Sequence, residues 1–446
     1  MKIYSDTKVY ILCPGNYNSG GPESVHQLAS QLLSLGICTY IHYYPLGEFK
    51  FNASDPVQEI YKKYHVPYTF KLDDDPQNIL IASETSNEYL YFPKRCRGVL
   101  WWLSVGNYFV HIIKQFQFYQ NTPLDNPISK FFCFDKCDKN IEHWGQSEYV
   151  RQFLNLNGVT KIKAVETHMS QTFLNRLAQI DLKAKKNFVA YNPRKGFEIT
   201  KKLIDFAPDI EWRPIENMTP AQVQELLTEA KIYIDFGEFP GRERLPREAS
   251  LSGCVVITGK RGAAANDIDI NTPAEFKFDE QITKPQEVIK KIREVFENFS
   301  VAYEKQKAFR DKELNAQRNF TTQIIEALEI KNFPPPSVAF VQDVSEKSFL
   351  LAEELFKSKE FVPSFIVDDI LATAKISDEL ILREQNRNYL RVGENFIEII
   401  TRDDAKFLYW EGRIKKFALL DPTDNELKEL KNFYEPATTD ILIFRR

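Results

Sequence analysis

The 446-residue chain lacks the marks of a secreted, membrane-spanning or nucleic-acid-binding protein. Its six cysteines are scattered and form no disulfide framework, which reads as reduced thiols in a cytoplasm. Only Cys133 and Cys137 stand close together. No second pair lies at ligand spacing, so a structural metal there is the weaker reading. No segment is apolar over the roughly 18–20 residues that a bilayer span needs. The most apolar one, residues 98–113, is interrupted by Ser104, Gly106, Asn107 and His111. The first six residues hold no apolar h-region, so no signal peptide is expected. Neither sign of charge dominates. A net charge of −4 and a pI near 6.0 leave no electrostatic footprint for nucleic acid. The glycine-rich loop 14–22 lacks the G-x-x-x-x-G-K-[ST] spacing of a phosphate loop. Asp73-Asp74-Asp75 resembles an Asp-x-Asp metal motif only superficially; set between Phe70 and Pro76, it reads as a solvated turn.

What the chain does contain is strand–helix alternation, twice over. Residues 9–13 read as a strand. Residues 23–35 read as a helix by the spacing of Val25, Leu28, Ala29, Leu32 and Leu33, with Gly36 stopping it. Further strands are expected at 37–44, 78–82 and 98–102, and a helix from 146 to about 157. The pattern predicts an α/β domain with a parallel sheet. A lysine-rich stretch, 181–186, reads as a solvated linker, and the alternation then restarts. Strands are expected at 187–191, 210–213, 232–236 and 255–257, with helices at 197–205 and 219–230. Thr219 is the expected cap of the latter, with Pro220 at its first position. Amphipathic helices follow at 284–298 and 309–330.

The most informative stretch is 235–257. A buried strand runs into the polar loop 237–244, which holds Gly237, Glu238, Gly241, Arg242, Glu243 and Arg244. A short helix follows, with Pro246 and Glu248 expected in its first turn, where the dipole favours a carboxylate. Gly253 ends it before the next strand. Such a loop and helix start belong at the carboxyl edge of a parallel sheet, where open α/β folds bind ligands. Arg242 and Arg244 suit a diphosphate, because a planar guanidinium donates two parallel hydrogen bonds; salt bridges to Glu238 or Glu243 are the rival reading. Lys195-Gly196 lies in the corresponding loop after the strand at 187–191. Gly20-Gly21 either makes a tight turn or opens a helix whose backbone N–H groups can approach an anion.

These elements resemble GT-B glycosyltransferases, especially retaining family 4, over about residues 8–332. Glu248-Ala249, followed by Gly253 and a strand, is similar to the family's ribose-gripping Glu. Lys195-Gly196 is similar to its diphosphate-neutralising Lys-Gly, and Gly20-Gly21 to its Gly-Gly turn beside the donor phosphates and acceptor. His143-Trp-Gly-Gln-Ser147-Glu-Tyr149 resembles its last N-domain helix. Asn319-Phe320, with Ile324 and Ile325, resembles the closing helix that crosses back. The resemblance implies two Rossmann-like doubly wound domains facing across a cleft, 1–180 on the acceptor side and 187–332 on the nucleotide-sugar side. It implies Lys195 and Arg242 as catalytic groups. Glu248, Glu243, Arg244, Gly241, Gly20, Gly21 and Asn107 would bind substrate, with neither metal nor other cofactor. The implied reaction moves a hexosyl or deoxyhexosyl unit from a nucleotide-sugar donor to a glycan or lipid-linked glycan acceptor, in bacterial surface polysaccharide synthesis. The implied place is the cytoplasm, with peripheral association at the inner membrane face. In a retaining reaction the departing phosphate takes the acceptor proton. An inverting one needs a base, for which His26, His111 and His143 are poor candidates.

Two departures stand out. Pro240 occupies the position of the family's second donor-loop acid. No histidine precedes His111 in the segment after the strand at 98–102, where Ser104 or Asn107 would have to replace that contact. The alternatives are a non-catalytic GT-B-like partner protein, a sugar-nucleotide epimerase and a glycosyl phosphorylase. Beyond the rigid spacer Pro334-Pro335-Pro336, residues 337–446 read as an α+β accessory module of unknown role, for oligomerisation or partner docking.

Overall fold

Val9–Pro14 (β1) is an apolar run with no polar face, as expected for a parallel strand covered on both sides. The structure, a computed structural model, describes residues 1–4, 6–44, 56–120, 132, 134, 141–279 and 281–330. In the C-terminal segment it describes 337–340, 349–352, 354–355, 362–367, 381–384, 387–392, 395–403, 405, 409, 414–434, 436 and 441–444. Cys133, Cys137 and the spacer 334–336 lie outside the described residues. The chain divides into two compact units, Met1–Ser30 with Cys38–Lys331, and Gln31–Ile37 with Asn332–Arg446.

The first unit holds two Rossmann-like lobes. In the N-terminal lobe β1 is joined by β2 (Thr39–Tyr44), β3 (Tyr68–Thr69), β4 (Ile79–Ser83), β5 (Arg97–Trp102), β6 (Ile141–Gly145) and β7 (Ile162–Ala164). All pair in parallel, in the order β3-β2-β1-β4-β5-β6-β7. Strand order reverses between β1 and β4, which marks the ligand crevice of a doubly wound sheet. Side chains alternate across the sheet. Leu12, Leu80, Leu100 and Trp102 pack with Val105, Tyr108, Val150 and Leu154 of the helices α3 (Val105–Gln120) and α4 (Glu148–Leu156). Val9, Ile11, Ile79, Ile81, Val99 and Trp101 are buried between them in sequence. α1 (Gly20–Ser34) follows β1, and the short α2 (Glu59–Lys62) and α5 (Gln171–Asn175) complete the lobe.

The second lobe has the parallel strands β8 (Lys186–Tyr191), β9 (Glu211–Pro214), β10 (Ala230–Asp235) and β11 (Val255–Thr258), in the order β11-β10-β8-β9. Val189, Ile232, Ile234, Val255 and Ile257 face a core shared with α6 (Phe197–Phe206), α9 (Pro285–Glu297) and α10 (Phe299–Lys305). Phe188, Ala190, Tyr233 and Val256 face the opposite core, with α7 (Pro220–Glu229) and α8 (Arg244–Leu251). Thr219 and Gln222 form a capping box on α7. α11 (Lys307–Leu314) and α12 (Ala316–Ala327) replace the single long helix expected over 309–330. α12 lies on the first lobe: the Gln323 side chain accepts from Glu166 N at 2.8 Å, and the Ala327 carbonyl accepts from Lys163 Nζ at 2.8 Å.

Two local expectations are corrected. α8 begins at Arg244, so Glu248 sits in its second turn. Pro246 is third in the helix, where the missing N–H is still one of the donors without an intrahelical partner. The stretch 181–186 is not simply a solvated linker. Lys185 is buried, and its ammonium donates to the carbonyls of Leu227, Thr228 and Ala230 at 3.0, 2.9 and 2.8 Å. It thereby satisfies the free carbonyl end of α7, where a cation also meets the negative pole of the helix.

The second unit contains a seven-stranded sheet with strand order β14-β15-β16-β13-β12-β17-β18. These are β12 (Ser337–Phe340), β13 (Val362–Val367), β14 (Ile381–Glu384), β15 (Arg387–Val392), β16 (Asn395–Thr401), β17 (Ile414–Leu420) and β18 (Ile441–Phe444). β16, β13, β12, β17 and β18 run parallel, and β14 and β15 are antiparallel. The α+β expectation thus gives way to a mainly parallel sheet, because sequence runs alone do not tell strand direction. α13 (Asp424–Tyr434) buries Leu430 and Tyr434 against Phe417 and Leu419.

Replacing Lys185 with Met should strip three buried carbonyls of their donor. We expect unfolding in urea to show a loss of about 2 kcal/mol, the usual cost of leaving buried polar groups unpaired. A change within about 0.5 kcal/mol would mean that water reaches the end of α7.

Candidate functional site

β8 and β10 are neighbours although β9 lies between them in sequence, so their carboxyl ends form the switch point of the second lobe. The loops leaving these ends touch. Gly196 has φ +62°, and a Cβ there would lie 2.3 Å from the Phe236 carbonyl carbon. Only glycine tolerates both demands. A Cβ on Gly237 would lie 2.4 Å from that of Lys195, so the Lys195 stem runs over Gly237. Beneath them Asp235 accepts from Gly237 N at 2.9 Å and from the Tyr233 hydroxyl at 2.8 Å. Burial pushes its carboxyl up to about 6.

Above this floor stands a set of paired charges. The Lys195 ammonium lies 2.9 Å from a Glu243 carboxylate oxygen. The Arg244 guanidinium donates to Glu248 within α8 and to Glu23 in the first turn of α1, so it bridges the lobes. Glu23 also accepts from the Tyr64 hydroxyl at 3.1 Å and lies 3.6 Å from Lys63 Nζ. Burial raises the Glu23 carboxyl, but Arg244 and Lys63 more than offset it and hold it below the usual range. Lys195 and Arg244 are 37% and 40% exposed, so both cations present a face to solvent.

The first lobe brings its own helix starts to this edge. Gly20 and Gly21 are the first residues of α1. A Cβ on Gly20 would meet nothing within 4 Å, so no tight turn demands this glycine. α3 is capped by Ser104, whose hydroxyl accepts from Asn107 N at 3.1 Å. Its Val105 N–H donates to the Pro240 carbonyl at 2.8 Å. Asn107 is exposed on that first turn. A Cβ on Gly241 would lie 2.6 Å from the Leu103 carbonyl oxygen and 2.7 Å from Gln146 Nε2. Gly241 therefore lets the two lobes approach, and the structure places it in their contact.

Arg242 is corrected. Its side chain is 1% exposed and faces away from the edge. It donates to Glu313 at 2.8 Å, to the Thr167 carbonyl at 3.1 Å, and to Glu166. Arg247 donates to the other Glu313 oxygen at 2.6 Å and to the Thr167 carbonyl at 2.7 Å. Burial alone would raise the Glu313 carboxyl, but Arg247 and Arg242 bring it down to about 2. Arg242 is a locked internal ion, with no face for a diphosphate.

The histidines are also placed. His26 is buried, with its ring nitrogens 2.7 Å from the Pro22 carbonyl oxygen and 2.8 Å from the Tyr43 hydroxyl. His143 is buried among aromatic rings beside Trp102. Burial brings both down to about 4. His111 pairs with Glu88 at 2.9 Å. Asp74 accepts backbone N–H groups of Lys94, Arg95 and Cys96 at 2.8–2.9 Å, so the Asp73–Asp75 segment organises a turn.

Sequence reasoning missed Glu23 and Glu84. Glu84 follows the apolar strand β4 at its carboxyl edge, and that position was the available signal. Its buried carboxylate accepts from Leu103 N at 2.8 Å, just before α3. Burial pushes it up to about 7.

No family model matches the chain, and no curated protein does. Solved structures similar to it include Anabaena HepE in complex with UDP-glucose, at 13% identity over 72% of this chain and 99% of that one, with a TM-score of 0.47. Sucrose-phosphate synthase of Thermosynechococcus elongatus is 9% identical over 72% of this chain and 98% of that one, with a TM-score of 0.48. TarM is 11% identical over 58% of this chain, with a TM-score of 0.41; the match spans only 56% of TarM.

Glu84 yields a pH prediction. Its pKa is raised from 4.5 to about 7 in the fold, so the folded chain holds a proton that the unfolded chain has lost. The stability this gives is full below pH 4.5 and is lost as pH rises through 7. Glu84→Gln should therefore gain on the parent in melting temperature between pH 5 and pH 8. A constant difference across that range would show that Glu84 titrates normally.

Proposed function

We propose that the protein is a GT-B glycosyltransferase of the retaining family 4 kind, which moves a sugar from a nucleotide-sugar to a glycan or lipid-linked glycan acceptor. The observation that carries the reading is the juxtaposition of Lys195, Arg244 and Glu248 at the switch point of the second lobe, opposite the open first turn of α1. Glu248 would accept hydrogen bonds from the ribose hydroxyls. Lys195 and Arg244 would meet the diphosphate and stabilise the charge that develops as the glycosidic bond breaks. Gly20 and Gly21 would offer backbone N–H groups at a helix start to the same phosphates or to the acceptor. The first-turn residue Asn107 would lie on the acceptor side.

Two features favour retention over inversion. Both nitrogens of His26 have partners, His143 is buried among aromatic rings, and His111 is paired with Glu88; the family resemblance itself implies retention. In a retaining reaction the departing phosphate takes the acceptor proton on the same face of the sugar. A role in bacterial surface polysaccharide synthesis, with hexosyl or deoxyhexosyl transfer in the cytoplasm at the inner membrane face, fits this chemistry. The second unit would serve assembly or partner docking.

Glu248→Gln tests the reading. An amide turns one acceptor into a donor, and one charge-assisted bond is worth about 1.5–3 kcal/mol. Calorimetry with nucleotide-sugars should show binding weakened about 10- to 100-fold, with the melting temperature kept. Equal binding by variant and parent would remove Glu248 from the site. Metal independence is tested separately: with two cations facing the phosphates, transfer should persist in EDTA. Activity lost in EDTA and restored by Mn²⁺ would contradict it.

A further inference from the structure

Charged side chains at the carboxyl edge of the second lobe are held in pairs. Lys195 faces Glu243, and Arg244 faces Glu248 and, in the first lobe, Glu23, which also lies near Lys63. A nucleoside diphosphate that takes one of these cations competes with the acid that holds it, and the three acids are not equally held. Glu23 is 11% exposed and takes Arg244, the Tyr64 hydroxyl and, at longer range, Lys63. Glu248 is 12% exposed and is tied to Arg244 within its own helix. Glu243 is 25% exposed, and Lys195 is its side chain's partner among the described residues. It stands at the cap position of α8, yet its carboxylate makes no cap hydrogen bond and turns to Lys195 instead. A carboxylate on a half-exposed lysine is also the weakest kind of pair, worth well under a buried one.

We infer that Glu243 is an exchangeable counterion: it holds Lys195 when the site is empty, and yields that lysine to the diphosphate of the nucleotide. The inference rests on the reading of the site given above and adds a role for Glu243 to it. When a donor binds, phosphate oxygens take the ammonium and the carboxylate turns to solvent. After transfer the carboxylate competes for Lys195 again and helps the nucleoside diphosphate leave. Glu243 thus sets the affinity of the site without touching the ligand, and its negative charge lowers that affinity.

The direction of the effect is what distinguishes this role. A residue that binds ligand loses affinity when it is neutralised, whereas a competitor gains it. Calorimetry on the full chain with UDP, GDP, ADP and dTDP identifies the diphosphate that the parent binds most tightly. Glu243→Gln should bind that nucleotide about two- to five-fold tighter, the range expected from releasing one part-exposed ion pair. In a Lys195→Met background the same substitution should change affinity by less than about two-fold, because the lysine over which carboxylate and phosphate compete is gone. Equal or weaker binding by Glu243→Gln in the parent background overturns the inference, and weaker binding would mean that Glu243 contacts the ligand itself. Tightening that persists undiminished with Lys195→Met also overturns it, since the effect would then be general charge. If the parent binds a nucleotide and Glu248→Gln weakens it, failure of the Glu243 result sinks this inference alone. If the parent binds none of the four, the reading of the site falls and the inference with it.

Discussion

The carboxylate of Glu313 is fully enclosed and shared by two guanidiniums, Arg242 from the loop after β10 and Arg247 from α8. Taking a carboxylate out of water costs several kcal/mol, and good geometry with further hydrogen bonds is needed to offset that. The Thr167 carbonyl and Glu166 supply them, from the segment that follows β7 in the first lobe. One buried acid therefore fixes the loop after β10, the helix that carries Glu248, and the neighbouring lobe at once. Asp269 adds a second tie of the same kind. Its two oxygens accept the first N–H groups of α4, from Glu148 and Tyr149, at 2.8 and 2.9 Å. An acid at a helix N-terminus meets both free donors and the positive pole of the helix.

With these ties in place, the carboxyl edge of the second lobe can present charge without collapsing. Arg242 and Arg247 are neutralised inward, whereas Lys195 and Arg244 each keep a face toward solvent. Close backbone approaches do the rest. Gly196 lets two loops meet at the switch point, and Gly241 lets the lobes meet beside α3. At Pro240, where the family-like pattern would place a second acid, the backbone carbonyl is spent on the Val105 N–H of the facing lobe. The loop here is built partly as an interlobe strut, and Glu238, two residues before, and Glu243, three residues after, carry the nearby negative charges.

Much of the fold was legible because parallel strands are short apolar runs flanked by glycine, and helices show their 3.6-residue period. β8, β10 and β11, α1, α6 and α7 all follow from such patterns. Boundaries were less legible where side chains set them. α8 starts at Arg244, early enough to put Glu248 in its second turn rather than the expected first, and Arg244 and Glu248 pair four residues apart along it. Lys185 looked like one of several solvated lysines, and only the placement of α7 shows three carbonyls converging on its ammonium. The direction of the strands in the second unit depends on crossovers that no local run encodes.

For the site, the sequence by itself determined which chemistry is available: an acid on a short helix, a Lys-Gly loop, arginines after a glycine-bearing loop, and a Gly-Gly pair at a helix start. These are local facts, because each depends on a few neighbouring residues and on backbone rules that act over one turn. Which arginine keeps an exposed face was not local. Arg242 and Arg244 are two residues apart and chemically identical, yet one is sealed against Glu313, 71 residues away, and the other reaches Glu23, 221 residues away. Charge partners at such separations are chosen by packing, and only the tertiary structure decided them.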